Sequence, residues 1–369
     1  MKRTIPHFFD AAVEAVPSKT WLLHEDRGFT YEQAHAAIAG GAATLAGLGV
    51  GKGDLVLVTL RNTPEYLFTW LALMRLGAIL VAANPASPAT ELAGLAGQTE
   101  PRLVVGDAGV ALAGFFDVEA LFSAPGPGGK PGPGSTDVEP EDPAVLIPTS
   151  GTTGRSKLVT QTHLAYVMAG EGFPWWLELT ADDRLMTSLP LFHINAPAYS
   201  VLGSVAARAS LVLLPRFSAS TFVDSARRYG ATEFNAIGAM VEMLMRQPER
   251  PDDADNPLRL CYTGPSPTEK RQLEIERRFG LQVVCGYALS ETPYGLVWRR
   301  GTRPYGTLGS VRQHPTLGEV NEARLVLDGQ PAPPGEVGEL ELRNPAVMKG
   351  YWGMPEETAK VLSPDGWLR

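Results

Sequence analysis

The chain has 369 residues, 44% hydrophobic and 20% charged, so it is long enough for two or three domains or subdomains and ordinary for a soluble globular protein. Its 40 acidic and 32 basic side chains leave a net charge of -8, which argues against broad nucleic-acid binding while leaving room for a small basic site. Only Cys261 and Cys285 are present, with neither CxxC nor clustered His, and no apolar run approaches 18 residues. Disulfide scaffolding, structural zinc, secretion and a membrane span are all disfavoured, and the expectation is a reduced, cytoplasmic enzyme or binding protein.

In chain order, "TYEQAHAAIAGGAATLAGLG" (30–49) has Ala and Leu at helical spacing, Thr30 as its cap and glycines at its end. "DLVLVTL" (54–60) is a short apolar, β-branched run, hence a buried strand. "TPEYLFTWLALMRLGA" (63–78) opens with Thr-Pro-Glu and runs apolar to a glycine, a second helix. "AILVAANP" and "RLVVGD" predict further strands, and the alternation implies βαβ units with a parallel sheet. The glycines of "GLGVGKG" miss G-x-G-x-x-G, because position 52 is Lys and position 54 is Asp; they read as a helix stop and a turn. Residues 123–143, dominated by Pro and Gly, predict a surface linker.

Beyond the linker the alternation resumes. "AVLIPTS", "RLMTSLP", "SLVLLP", "LRLCYTG" and "LQVVCGY" predict strands. "HLAYVMAGEG", "ASTFVDSARRYG", "AMVEMLMRQ" and "PTEKRQLEIERRFG" predict the helices between them. From about 306 the texture changes to "EARLVLDG", "GEVGELELRN" and "VMKGYW", short strands with Gly/Pro turns. The expected fold is α/β, with two parallel-sheet βαβ subdomains over 1–143 and 144–305 and a small β-rich subdomain over 306–369.

One stretch is too polar for a core strand and too poor in helix formers for a helix: "PTSGTTGRSK", Pro148 to Lys157. Backbone N–H groups freed by glycines, with hydroxyls and a lysine, suit an anion such as phosphate. The Walker A pattern fails twice here, with Ser at 156 and Leu at 158. The stretch is either another kind of phosphate loop or an ordinary polar turn. Three more polar turns follow strands: "PLFHINA" (190–196), "YTGPSP" (262–267) and "GYALSET" (286–292). Four such turns at strand ends converge on one crevice in an α/β sheet.

Together, in this order, they resemble the ANL superfamily of adenylate-forming enzymes: acyl-CoA synthetases, aryl-CoA ligases, luciferases and nonribosomal adenylation domains. "FTY" and "RLGAILVAANP" resemble its first core motifs, and "TSGTTGRSK" its phosphate loop, [ST]-S-G-[ST]-[ST]-G-x-P-K-G. "GYALSET" is similar to G-Y-G-x-T-E, "GSVRQHP" to a glycine-containing turn, and "GELELRNPAVMKGYWGMPEET" to G-E-L-x-x-R-G-P-x-V-x-x-G-Y-x-x-x-P-x-x-T. The chain departs at Ser156 (usually Pro), Leu158 (Gly), Ala288 (Gly) and Ser290 (Thr). It stops at "DGWLR", where the family continues into T-G-D and a mobile C-terminal domain, so the resemblance implies the large N-terminal portion of such an enzyme.

The resemblance also implies roles. Thr149, Ser150, Gly151, Thr152, Thr153, Gly154 and Lys157 would wrap the ATP phosphates, and Glu291, with help from Thr152, would hold Mg²⁺. Gly264, Pro265 and Ser266 would wall the adenine. Gly286, Tyr287, Ala288, Leu289 and Ser290 would form the other side of the nucleotide site, Tyr287 offering a stacking face. His193 stands where acyl- and aryl-CoA ligases border the carboxylate and where amino-acid activators place an aspartate for the α-ammonium. Asn195, Asn235, Gly238 and Ala239 would line the acyl pocket; Trp175 and Trp176 read as packing. Glu291, His193 and Lys157 are the candidates nearest the chemistry. The implied activity is AMP-forming activation of a small carboxylic acid, then transfer to the thiol of CoA or a pantetheinylated carrier protein, with no nucleic acid, no membrane span and a homodimer left open. The rivals are a carrier-feeding adenylation domain, a ligase acting on an oxyanion such as nitrite, and a nucleotide-binding regulatory fragment.

Overall fold

The computed structural model describes residues 2–107, 112–123, 137–149, 156–299 and 301–369. The residues expected to wrap phosphate at Ser150, Gly151, Thr152, Thr153 and Gly154 lie outside that set, as does most of the Pro/Gly-rich stretch.

The first helix read from the sequence forms over Tyr31–Gly47. Thr30 caps it: its hydroxyl accepts the Gln33 amide at 3.1 Å, and the Gln33 side chain accepts the Thr30 amide at 2.9 Å, a reciprocal pair that satisfies two otherwise orphaned donors. The second helix, Pro64–Leu76, is capped by Thr63 and stopped by Gly77, whose φ of 67° few other residues tolerate. It is buried on nearly every side, which explains its uniformly apolar sequence.

Three sheets organise the described residues. The first runs, edge to edge, Phe115–Asp117, Leu103–Gly106, Leu55–Thr59, Ile79–Ala82, Pro143–Thr149 and Lys157–Thr162; all pairs are parallel except the last. The second has a parallel centre of Gln282–Tyr287, Leu260–Gly264, Glu233–Ile237, Arg184–Thr187, Ser210–Leu213 and Thr20–His24. Antiparallel strands extend it at both edges, Arg27–Thr30 on one side and Leu296–Val297 with Ser310–Val311 on the other. The third is small and antiparallel: Gln330–Pro331, Glu322–Leu327 and Glu339–Arg343. One apolar core runs continuously between the first two sheets, joining Val56, Leu80 and Trp70 to Leu185, Leu211 and Phe234.

Three expectations differ from this arrangement. The sheets do not divide the chain at residue 143: Thr20–Thr30 joins the second sheet, and Pro143–Thr162 closes the first. Local patterning locates a strand but not its partner, because the pairing is chosen by burial across the whole chain. Between the polar stretch and the helix His163–Leu177 stands an unforeseen strand, Lys157–Thr162, antiparallel to Pro143–Thr149. "VMKGYW" forms no strand; Tyr351 makes a single bridge to Val159.

Candidate active site

The central strands of the second sheet end together. Ile237 is in register with Gly264, and Thr263 with Cys285, so the turns at Gly264 and Gly286 lie side by side. A Cβ on Gly264 would stand 2.6 Å from the Gly286 carbonyl oxygen, and one on Gly286 would stand 2.4 Å from the Tyr262 hydroxyl. Both glycines are therefore demanded by close packing of backbone and side chain at this crevice. Tyr287, half-buried, extends the Gly286 turn; burial, then the Glu291 carboxylate, raise the pKa of its phenol. Pro265 and Ser266 follow Gly264 on the neighbouring turn, where Ser266 bonds the Pro267 carbonyl at 3.3 Å.

Glu291 is fixed by its surroundings. Its carbonyl accepts the Met348 amide at 2.7 Å, and the preceding Ser290 carbonyl accepts the Gln161 side chain at 2.6 Å. Ala288 and Leu289 lead into that turn, which closes by paired backbone bonds between Leu289 and Thr292. Behind it lies a buried amide network: Thr292 donates to Asn344, and Asn344 and Asn321 both donate to the Tyr294 carbonyl. These bonds leave the Glu291 carboxylate as the free end of a rigid turn. Its Oε1 accepts the Tyr351 hydroxyl at 3.0 Å.

Lys157 reaches the same place from the first sheet. It begins a strand in register with Thr149, whose hydroxyl bonds the Lys157 carbonyl at 3.3 Å. Its ammonium stands 5.0 Å from the centre of the Tyr351 ring and 3.1 Å from Glu357 Oε2. The cation and the carboxylate proposed for phosphate and metal are thus brought together across Tyr351. Sequence reasoning did not single out Tyr351 and Glu357, which the structure brings to this cluster. The signal was present, since both belong to the stretch quoted for its resemblance, but nothing local to "KGYWGMPEET" says which side chains turn inward. Burial and Glu291 keep the Tyr351 phenol protonated, while Lys360 and then Lys157 lower the pKa of Glu357.

Asn235, buried, donates to Asn195 at 2.9 Å, and its own amide oxygen has no partner among the described residues. Asn195 immediately precedes a π-helix, Ala196–Val201, a form that recurs at functional sites. Gly238 and Ala239 begin the helix Gly238–Met245 just beyond the same strand. His193 lines a cavity of about 520 Å³ with Thr149, Ser156, Asn84, Glu91 and Gln98. Its ring leans on Phe192, 4.6 Å between centres, and desolvation lowers its pKa, so the imidazole is neutral at neutral pH.

No group of three or more His, Cys, Asp or Glu able to hold a metal occurs among the described residues. A single anchored carboxylate near a lysine still suits Mg²⁺, which takes one or two carboxylates and completes its shell with substrate phosphates and water.

The two α/β sheets with a small antiparallel sheet match those of AMP-forming acid–thiol ligases. The AMP-binding enzyme family matches residues 9–352, and the chain belongs to that family. It is 31% identical, over 395 aligned positions, to the crotonobetaine/carnitine–CoA ligase of Salmonella heidelberg (strain SL476), covering 95% of this chain and 73% of that one. O-Succinylbenzoate coenzyme A synthetase of Bacillus subtilis, solved with AMP, superposes with a TM-score of 0.84 at 25% identity, covering 98% and 93% of the two chains. A benzoate CoA ligase from Burkholderia xenovorans LB400 superposes at 0.89 with 19% identity over 99% and 76%, a likeness of fold. No helix among the described residues is long and apolar enough to cross a membrane.

Proposed function

We propose that this chain uses ATP and Mg²⁺ to activate a carboxylic acid lacking an α-ammonium group, aryl or medium-chain acyl groups being preferred, and passes it to a thiol, in the cytoplasm. The observation that carries this reading is the meeting of Lys157 and Glu291, from different sheets, on Tyr351. The substrate carboxylate attacks the α-phosphorus of ATP; the new O–P bond replaces the α–β bridge and pyrophosphate leaves. The thiol sulfur then attacks the acyl carbon, AMP leaves and the thiol proton goes to solvent.

Lys157 and the polar loop would hold the phosphates, and Tyr351 would orient the Glu291 carboxylate. Tyr287, with Gly264, Pro265 and Ser266, would bracket the adenine. Mg²⁺, held by Glu291 and the phosphates, would supply charge neutralisation at the triphosphate. Neutral His193 would border the carboxylate as a hydrogen-bonding group and not as a counter-ion. With no aspartate in that place, an α-ammonium would be buried unpaired. The relatives are named as CoA ligases, which supports CoA over a carrier protein as acceptor. The cavity between His193, Thr149 and Ser156 would give the thiol a route to the acyl carbon.

Pyrophosphate release, screened over aryl, fatty and amino acids, tests the reading. Aryl or medium-chain acids should turn over, and clear preference for a free α-amino acid over its deaminated analogue overturns it. Thioester formation with CoA, compared with pantetheinylated carrier protein, decides the acceptor.

A second expectation concerns Glu357. Its carboxylate pairs with Lys157 at 3.1 Å and so competes with a triphosphate for that ammonium. Glu357→Gln should therefore tighten ATP binding by a few-fold, measured by calorimetry, and the gain should shrink at high salt. Weaker binding in the variant would mean that Glu357 holds Lys157 in place for the nucleotide.

A further inference from the structure

Arg312 is fully buried, and a guanidinium stays charged at any pH the protein survives. No carboxylate pairs with it among the described residues; Trp176 and Tyr199 flank it instead, with ring centres 4.4 and 4.9 Å away. A buried cation without a counter-ion is costly. Packing alone therefore does not explain it.

What the guanidinium touches does. Nε donates to the Leu296 carbonyl at 3.1 Å; Nη1 donates to the Tyr199 hydroxyl at 2.8 Å and to the Pro293 carbonyl at 3.1 Å; Nη2 donates to the Tyr262 hydroxyl. Tyr199 in turn donates to the Pro293 carbonyl at 2.5 Å, and the Arg312 amide donates to the Gly295 carbonyl at 3.1 Å. Each partner adjoins a candidate site residue. Pro293 is two residues beyond Glu291, Tyr262 two residues before Gly264, and Tyr199 lies in the π-helix that follows Asn195. A Cβ on Gly286 would stand 3.0 Å from Nη2, so the guanidinium underlies the strand end that leads into Tyr287 and Glu291.

We infer that Arg312 is a positioning residue of the adenylating site: from beneath, it locks the segments that carry Glu291, Gly264 and Gly286 into one arrangement ready for Mg²⁺ and nucleotide. The inference rests on the reading of the site given above. Its five donors in a fixed fork suit a group that must tie several segments at once, which neither a lysine nor an apolar side chain does.

The test measures ATP binding by calorimetry, with Mg²⁺ and with EDTA, on the 369-residue chain and its Arg312→Met, Arg312→Lys and Tyr262→Phe variants, together with thermal midpoints. Arg312→Met removes a donor from the buried Leu296 and Pro293 carbonyls, so the midpoint should fall, and ten-fold or more of the affinity that Mg²⁺ adds should be lost with it. Arg312→Lys should recover part of that loss, and Tyr262→Phe should lose two- to three-fold. Wild-type Mg²⁺-dependent binding in Arg312→Met overturns the inference. If that variant does not fold, Arg312→Lys and Tyr262→Phe decide: lower midpoints with unchanged Mg²⁺-dependent binding overturn it equally. A wild-type chain that binds no Mg²⁺–ATP instead refutes the underlying reading of the site.

Discussion

Lys157→Ala and Glu291→Gln should each slow ATP-dependent activation of the acid by one to two orders of magnitude while leaving the thermal midpoint nearly unchanged. Under the proposed function each would remove one charge-assisted contact to phosphate or metal, worth about 1.5–3 kcal/mol, and about 1.4 kcal/mol is a factor of ten in rate. Stability should be spared for local reasons. The Lys157–Glu357 pair is partly exposed, and pairs of that kind contribute little to folding. Gln at 291 keeps an amide oxygen for the Tyr351 hydroxyl, and the turn itself is held through the backbone by Met348 and Gln161. The substitution is thus a test of charge and not of shape. The checks are pyrophosphate release as a function of Mg²⁺ concentration and a melting curve. A Glu291→Gln protein that unfolds, or that turns over with unaltered Mg²⁺ dependence, would show the carboxylate to be structural.

The second large effect is on stability and comes from two buried groups away from the crevice. His163 is sealed inside, with Nδ1 accepting the Ile5 amide at 3.4 Å and Nε2 without a partner among the described residues. Burial pushes its pKa down to about 4. A depressed pKa means that the unfolded chain binds the proton first. The stability linked to His163 is complete above about 6.5 and is lost as pH falls towards about 4, a loss of about 3 kcal/mol at the acid end.

Glu233 works in the opposite sense. It is fully buried, and neither carboxyl oxygen has a hydrogen-bond partner among the described residues. Burial, then the charge of Asp183, raise its pKa well above the usual carboxylate range. The unfolded chain therefore releases the proton first, and the stability linked to Glu233 is complete below the usual carboxylate pKa and lost as pH rises above it. Even neutral, an unpaired buried polar group costs about 1–3 kcal/mol. Glu233→Met should stabilise the protein, most of all on the alkaline side, whereas His163→Asn should flatten the acid limb. Urea unfolding from pH 4 to 9, taken as the difference between wild type and each variant, reads both effects. A pH dependence unchanged by either substitution would remove that residue from the account.

The local elements were legible because their causes are local. Thr30 with Gln33, Thr63 with Pro64, and Gly77 act within one helical turn, and the apolar runs at 55–59, 79–82 and 282–287 announce strands wherever the chain places them. The glycines of the paired turns have a local cause as well. Gly264 and Gly286 are required by close approach at a strand end, which leaves a mark on the sequence itself.

Tertiary structure alone decided which strands pair and which side chains face the crevice. Thr20–Thr30 belongs to the second sheet because Leu22 and Leu23 pair with Leu211 and Val212, far along the chain. Lys157 opens a strand because it pairs with Thr149 across the loop. Tyr351 looked like part of a strand, yet it meets Glu291 and Lys157 because Thr358 holds its amide and Val159 its backbone. Arg312 gave no sign of burial, since its partners are carbonyls and hydroxyls from three separate segments. Capping, periodicity and glycine geometry act over a few residues and can be read directly. Sheet partners, buried charges and convergent sites depend on which distant surfaces exclude water together, and that is settled only when the whole chain packs.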